Sequence, residues 1–208
     1  SAQEQLKVRS LALSCTRTFI QGDSATTPEE FDGMRKRLTG TQLIAAGNTS
    51  GGDALSLVKL DELIDSVVEP THLVMNKNMR RRLTAASRAT SIGGFINYGV
   101  DEFGRQIEMY GNLPILIVDE DNNRNKILPF TEVGAGGGTA QTCSIYCVSF
   151  GQLKVQGIQN GQITVSDLGE LQTKPCYRTR VEWYAGFGVF DGRSAARLYG
   201  ITDAAVVA

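Results

Sequence analysis

Tyr177-Arg-Thr-Arg-Val-Glu-Trp-Tyr-Ala-Gly-Phe-Gly-Val-Phe190 is the stretch whose reading decides the fold. Tyr177, Thr179, Val181, Trp183, Ala185, Phe187 and Val189 fall on one side of an extended chain, with Arg178, Arg180 and Glu182 on the other. That period of two predicts a strand with one buried face. At about 3.3 Å per residue it would run roughly 45 Å, where an ordinary strand has about five or six residues. A small round domain does not hold such a strand straight, so an elongated body is expected.

The other end of the chain supplies a partner of similar length. Val8, Leu11, Cys15 and Phe19 recur at helical spacing over residues 4–21, with Lys7, Arg9 and Arg17 elsewhere, and Gly22 stops the run. Such a helix is close to 30 Å long. A long helix and a long strand can bury each other's apolar faces, leaving the middle of the chain as a second lobe. Pro28-Glu29-Glu30 has the proline and acids of a helix's first turn, predicting a short helix to about Leu38. Residues 40–53 are small, polar and glycine-bearing and read as a loop where the chain crosses between lobes.

Within the middle, Leu57, Leu60, Leu63, Ile64 and Val67 mark a helix, His72-Leu-Val-Met75 a strand, and Asn76 opens a basic helix through Arg88. Short apolar segments broken by Gly99, Gly104, Gly111 and Pro114 suggest strands joined by turns over residues 95–118. Polar loops at 119–126 and 134–138 precede strands near 144–150 and 162–167.

Composition narrows the function classes. The 208 residues are 41% hydrophobic and 21% charged, with 23 glycines and a formal net charge of −1. This is the make-up of an ordinary globular chain with no global basic field. The apolar run at 113–118 is far short of the roughly 20 residues a bilayer span needs. No basic start followed by an apolar core marks an export signal, so the expected compartment is the cytoplasm and the four cysteines are expected to be inert core thiols.

Chemistry is sparse. His72 is the only histidine, set in a strand with no serine or cysteine motif beside it, and reads as structural. One histidine and scattered cysteines cannot make the usual zinc sets, so no metal and no cofactor is expected. Gly134-Ala-Gly-Gly-Gly-Thr139 lacks the GxxxxGK[ST] ending of a phosphate loop. Asp119-Glu-Asp121 lacks calcium-loop spacing and reads as a solvated turn. Arg80, Arg81 and Arg82 sit on the basic helix, but consecutive positions splay around it and no aromatic is interleaved. They are candidate subunit contacts or sequence-independent DNA contacts. No catalytic constellation emerges.

Taken in order, the segments resemble the tailed-phage major capsid proteins of the Hong Kong 97 type. The resemblance is carried by Phe19-Ile-Gln-Gly-Asp23, Pro28-Glu-Glu-Phe-Asp-Gly33, Leu60-Asp-Glu-Leu-Ile-Asp65, His72-Leu-Val-Met-Asn76 and Tyr110-Gly-Asn-Leu-Pro-Ile115. Tyr177-Arg-Thr-Arg-Val-Glu-Trp-Tyr184, Phe190 and Ala195-Ala-Arg-Leu198 complete it. It implies an elongated α+β fold with two parts. A peripheral domain, residues 1–52 and 168–208, would hold the spine helix and the long C-terminal strand, and an axial α/β domain would span 53–167. The loop before the long strand, about 167–175, would meet neighbouring capsomers, with Asp167, Glu170 and Lys174 as candidate contact charges. The family's N-terminal arm and extended loop have no counterpart in these residues.

The function implied is structural and not enzymatic: a major capsid protein of a tailed bacteriophage or prophage. It would assemble with itself into pentamers, hexamers and an icosahedral shell around double-stranded DNA, in the bacterial host cytoplasm and then in the virion. Scaffolding, portal and decoration proteins are the expected partners, with DNA touched through phosphates and no membrane involved. The alternatives are an encapsulin-like nanocompartment shell protein and a small α/β ligand-binding or enzyme domain built on the middle region.

Overall fold

The computed structural model describes residues 2–89, 95–100 and 104–208. Its centre is a seven-stranded mixed sheet in the order β1-β11-β6-β2-β5-β4-β3. These strands are β1 Leu43–Ala45, β2 His72–Met75, β3 Ile96–Val100, β4 Gln106–Tyr110, β5 Leu113–Ile117, β6 Thr142–Val148 and β11 Ala195–Thr202. Two ribbons stand apart from it. One pairs β7 Val155–Gln159 with β10 Ala185–Val189, the other β8 Thr164–Glu170 with β9 Tyr177–Glu182.

Every residue of β6 is buried, because apolar layers cover both faces of the sheet. Cys143, Ile145 and Cys147 join Leu73, Met75 and Leu198 in a core with α3 Leu57–Asp65 and α4 Lys77–Ser87, which contribute Leu60, Leu63, Met79 and Leu83. Tyr146, Val148 and Val74 point the other way, onto Ile20, Met34, Leu38, Ile127, Leu128 and Phe187. Burying a side chain of this size from water contributes about 1.5–3 kcal/mol. Asn76 caps α4, its Oδ1 accepting from the Met79 amide at 2.8 Å.

The two helix stripes, β2 and the basic helix stand where the sequence puts them, and other elements do not. The run at 177–190 is two strands, broken at residues 183 and 184 and paired in different ribbons. Alternation fixes side-chain direction, but hydrogen-bond partners decide continuity. Residues 28–30 form a turn, and the helix is only α2 Met34–Arg37. There the chain crosses itself, with the Gly33 amide on the Gly22 carbonyl at 2.8 Å. A Cβ on Gly22 would stand 2.2 Å from the Phe31 carbonyl oxygen, so a helix starting at Pro28 cannot take this path. β1 lies inside the stretch 40–53 that reads as a loop, where pairing with β11 makes it a strand, and β7 and the full length of β11 had no sequence prediction. The seven-stranded sheet joins strands from both sides of the boundaries at 52/53 and 167/168.

Helix α1, Ala2–Gln21, meets the body through its last turns. Thr18 and Ile20 are buried, and Phe19 packs on Phe187 with ring centroids 4.7 Å apart.

The glycine loop at 134–138 is a docking element. The Gly51 amide donates to the Gly137 carbonyl at 2.9 Å. A Cβ on Gly136 would lie 2.2 Å from the Asn48 carbonyl oxygen, with no side chain available to yield. Gly136→Ala is therefore expected to lose about 1–3 kcal/mol in chemical denaturation. Gly157→Ala, whose Cβ meets nothing within 4 Å, is the control expected near neutral.

Candidate functional site

The described residues hold no group of three or more His, Cys, Asp and Glu placed to bind a metal. His72 Nδ1 lies 3.0 Å from Thr71 Oγ1 and its ring meets Phe150 edge-on at 5.4 Å, while burial pushes its pKa down. That is a packed, neutral histidine. Asp121 is buried and closes its own turn, accepting from the amides of Asn123 and Asn125 at 2.8 Å each, so the acidic loop is more ordered than a solvated turn. Cys143 and Cys147 are buried, Cys147 with its pKa pushed up to about 12 by desolvation. Cys15 is half-buried and Cys176 exposed, so not all four thiols lie in the core.

One buried polar cluster has no counterpart in the sequence reading. Glu132 Oε2 accepts from Arg197 Nη2 at 2.7 Å and from the Ser144 hydroxyl, and Arg197 Nε donates to Ser144 Oγ at 2.9 Å. Arg35 Nε approaches the other carboxylate oxygen at 3.7 Å. The guanidinium lies over the Tyr146 and Tyr199 rings, at 5.9 and 5.7 Å. Arg197 sits inside the apolar run Ala195-Ala-Arg-Leu198, and a lone charge in a buried strand is the signal that should have prompted a search for its acid. The cluster ties the 132 loop to β6 and β11.

The three helix arginines are not brought together. Arg80 pairs with Glu108 of β4 at 3.0 Å, and Arg82 with Asp203 at 2.9 Å. Arg81 bonds only the neighbouring Asn78. Among the described residues it is the one of the three without a carboxylate partner.

Asp167, Glu170 and Lys174 are all exposed on the β8–β9 ribbon and its tip. Asp167 Oδ1 accepts from the Gly169 amide at 2.9 Å, at a break in the ladder between Asp167 and Glu170. Val165 and Leu168 are exposed, and Tyr177 is 79% exposed. A two-stranded ribbon is marginal without a covering layer. Here α1 faces it across an open groove of about 530 Å³ lined by Leu6, Lys7, Ser10, Tyr177, Thr179 and Val181.

No protein-family model matches the sequence, and no curated protein matches it either. Solved structures do. The holo-SrpI encapsulin complex from Synechococcus elongatus PCC 7942 aligns over 99% of this chain and 67% of its own, with a TM-score of 0.69 at 16% identity. The capsid of an empty GTA particle aligns over 97% of this chain and 65% of its own, with a TM-score of 0.56 at 16% identity. The fold is the Hong Kong 97-type capsid fold.

Within this capsid fold, the sheet is buried between two apolar layers, one of them built with the end of α1 and the β7–β10 ribbon. The β8–β9 ribbon and the first half of α1 carry apolar side chains that the body does not cover.

Two measurements follow from the buried groups. Glu132→Ala leaves Arg197 unpaired and is expected to lose about 3–5 kcal/mol by denaturant titration, while the paired change Glu132→Leu with Arg197→Met recovers most of it. With a thiol reagent, Cys176 is expected to react at once in the folded protein and Cys143 and Cys147 only on unfolding.

Proposed function

We propose that this chain is the building subunit of a closed protein shell, the major capsid protein of a tailed bacteriophage or prophage. The observation that carries the reading is the β8–β9 ribbon. It is exposed along both strands, bears Val165, Leu168 and Tyr177 unpartnered, and ends in a charged tip. An isolated monomer gains little from such an element, whereas a subunit surrounded by copies of itself can cover it. On this reading Asp167, Glu170 and Lys174 meet neighbouring capsomers.

We assign the spine helix and ribbons to a peripheral part. The seven-stranded sheet forms the axial part around which pentamers and hexamers close, with β1 and β11 on the axial side. The protein is not an enzyme on this reading, and its polar cluster is structural. Contact with packaged double-stranded DNA is sequence-independent, and Arg81 is its best candidate among the three helix arginines. Scaffolding, portal and decoration proteins are further partners, and the virion is the destination of shells assembled in the host cytoplasm. No described helix is long and apolar enough to cross a membrane.

An encapsulin-like nanocompartment shell is the second reading, favoured by the higher TM-score to the encapsulin complex, 0.69 against 0.56. Negative-stain electron microscopy of the purified chain is expected to show closed shells or rings of five or six subunits. A protein that stays monomeric at every concentration and salt would overturn the proposal. Nucleic acid inside the particles supports the phage head, and a single enclosed protein supports the nanocompartment. Reversing a tip charge, Glu170→Lys, is expected to suppress assembly with no change in thermal midpoint, because this side chain is exposed.

A further inference from the structure

Two apolar surfaces of this molecule lack a partner, and each has the shape the other needs. Helix α1 carries two stripes. Val8, Leu11, Cys15 and Phe19 turn toward the body and are partly covered. Leu6, Leu13 and Ile20, seven residues apart, form a second ridge. Ile20 is buried at the helix's last turn, whereas Leu6 is 66% and Leu13 36% exposed. Seven-residue spacing holds side chains in line along a helix that packs on something.

The other surface is one side of the β7–β10 ribbon. The register pairs Val155 with Val189 and Gly157 with Phe187, on the side where Phe187 meets Phe19 and Phe31. Val155 and Phe187 are buried there. On the opposite side Ile158 pairs with Gly186 and Gln156 with Gly188. That side is open. Ile158, Tyr184 and Phe190 are all more than half exposed around a floor made of the two glycines, and the Phe190 ring lies back across Gly188. Among the described residues the ribbon has α1 on one face, while Ile158, Tyr184 and Phe190 stay more than half exposed on the other, a layered packing that lacks one layer.

We infer that the ridge of Leu6 and Leu13 in one copy seats on the glycine-floored face of β10 in the next copy. The inference rests on the shell reading and names one of its contacts. The sizes agree. Leu6 and Leu13 lie about 10 Å apart along the helix, and the shelf from Tyr184 to Phe190 runs about 20 Å, with only glycine on β10 between its aromatic ends. Glycine lets a helix approach the sheet backbone closely, and a side chain at 186 or 188 would hold it off. Charge fits as well. Arg9 rises between the two leucines with no acid partner among the described residues. Asp191, exposed, follows Phe190 at one end of the shelf, and Glu182, paired with Arg180 of its own strand, precedes Tyr184 at the other, so Asp191 is the carboxylate that can receive Arg9.

Ridge and shelf lie on different surfaces of one chain, so their contact is head-to-tail. Such contacts close into rings or continue into larger assemblies, whereas a two-fold dimer would set ridge on ridge. Two leucines on a short ribbon cover well under the roughly 1,000 Å² of a stable two-body interface. The contact is therefore weak singly and counts when every subunit gives and receives one.

A disulfide trap tests it. In a Cys15→Ser, Cys176→Ser background, chains carrying Leu13→Cys are mixed with chains carrying Ile158→Cys, assembled and oxidised. A covalent dimer is expected in the mixture and in neither chain alone. Separately, Leu6→Asp with Leu13→Asp is expected to raise the concentration for half-assembly about tenfold or more. Its circular dichroism should stay unchanged, and Leu6→Asp alone, at the more exposed of the two positions, should weaken assembly in the same direction with the thermal midpoint unchanged. Shells that assemble normally with no cross-link, and that tolerate both aspartates, would overturn the contact and leave the shell reading standing. A parent chain that never assembles would overturn both.

Discussion

Burial of β6 on both faces is the constraint from which the rest of the structure follows. A strand with no solvent-facing side needs side chains matched above and below it and partners inside the protein for its polar groups, of which only the Tyr146 hydroxyl goes without among the described residues of this strand. Cys143, Ile145 and Cys147 require the layer built by α3 and α4, while Tyr146 and Val148 require the end of α1, α2 and the loop at 127–128. Thr142 and Ser144 cannot remain unsatisfied, and both find Glu132, one through its carbonyl and one through its carboxylate. The carboxylate in turn needs a cation, which β11 supplies as Arg197. A central strand thus dictates two layers, a loop and a buried ion pair.

Its neighbours also explain where glycine is needed. The loops at 47–53 and 134–138 and the turn in β11 at Gly200 meet backbone to backbone above the sheet's end. Glycines that resemble a phosphate-binding loop in one dimension are, in three, the places where no Cβ fits. Asp53 ties the same corner together, its carboxylate accepting from the Thr49 amide at 3.0 Å and its backbone pairing with Ile201.

Against this body, the first half of α1 and the two ribbons are of a different kind. Their alternating and helical patterns are as regular as those in the core, yet much of the apolar surface they carry stays open. A chain that folds alone would be expected to bury it or to carry polar residues there. The shell proposed above would remove that need, because the missing layers would come from neighbouring copies.

Periodicity by itself determined the helix stripe through Val8 and Phe19, the helix through Leu60 and Leu63, the strand at His72–Met75, the cap at Asn76 and the alternation of 177–190, since these follow from local geometry. The order of those segments carried the resemblance to the capsid fold, which the structural neighbours show. Only the tertiary structure decided that the 177–190 run is two strands, that Leu43–Ala45 is a strand at all, and that Glu132 and Arg197 meet across 65 residues. It also decided that Arg80, Arg81 and Arg82 serve different neighbours. Periodicity records which way a side chain points, whereas pairing depends on what the rest of the chain brings alongside. That second quantity is long-range, and no window of sequence contains it.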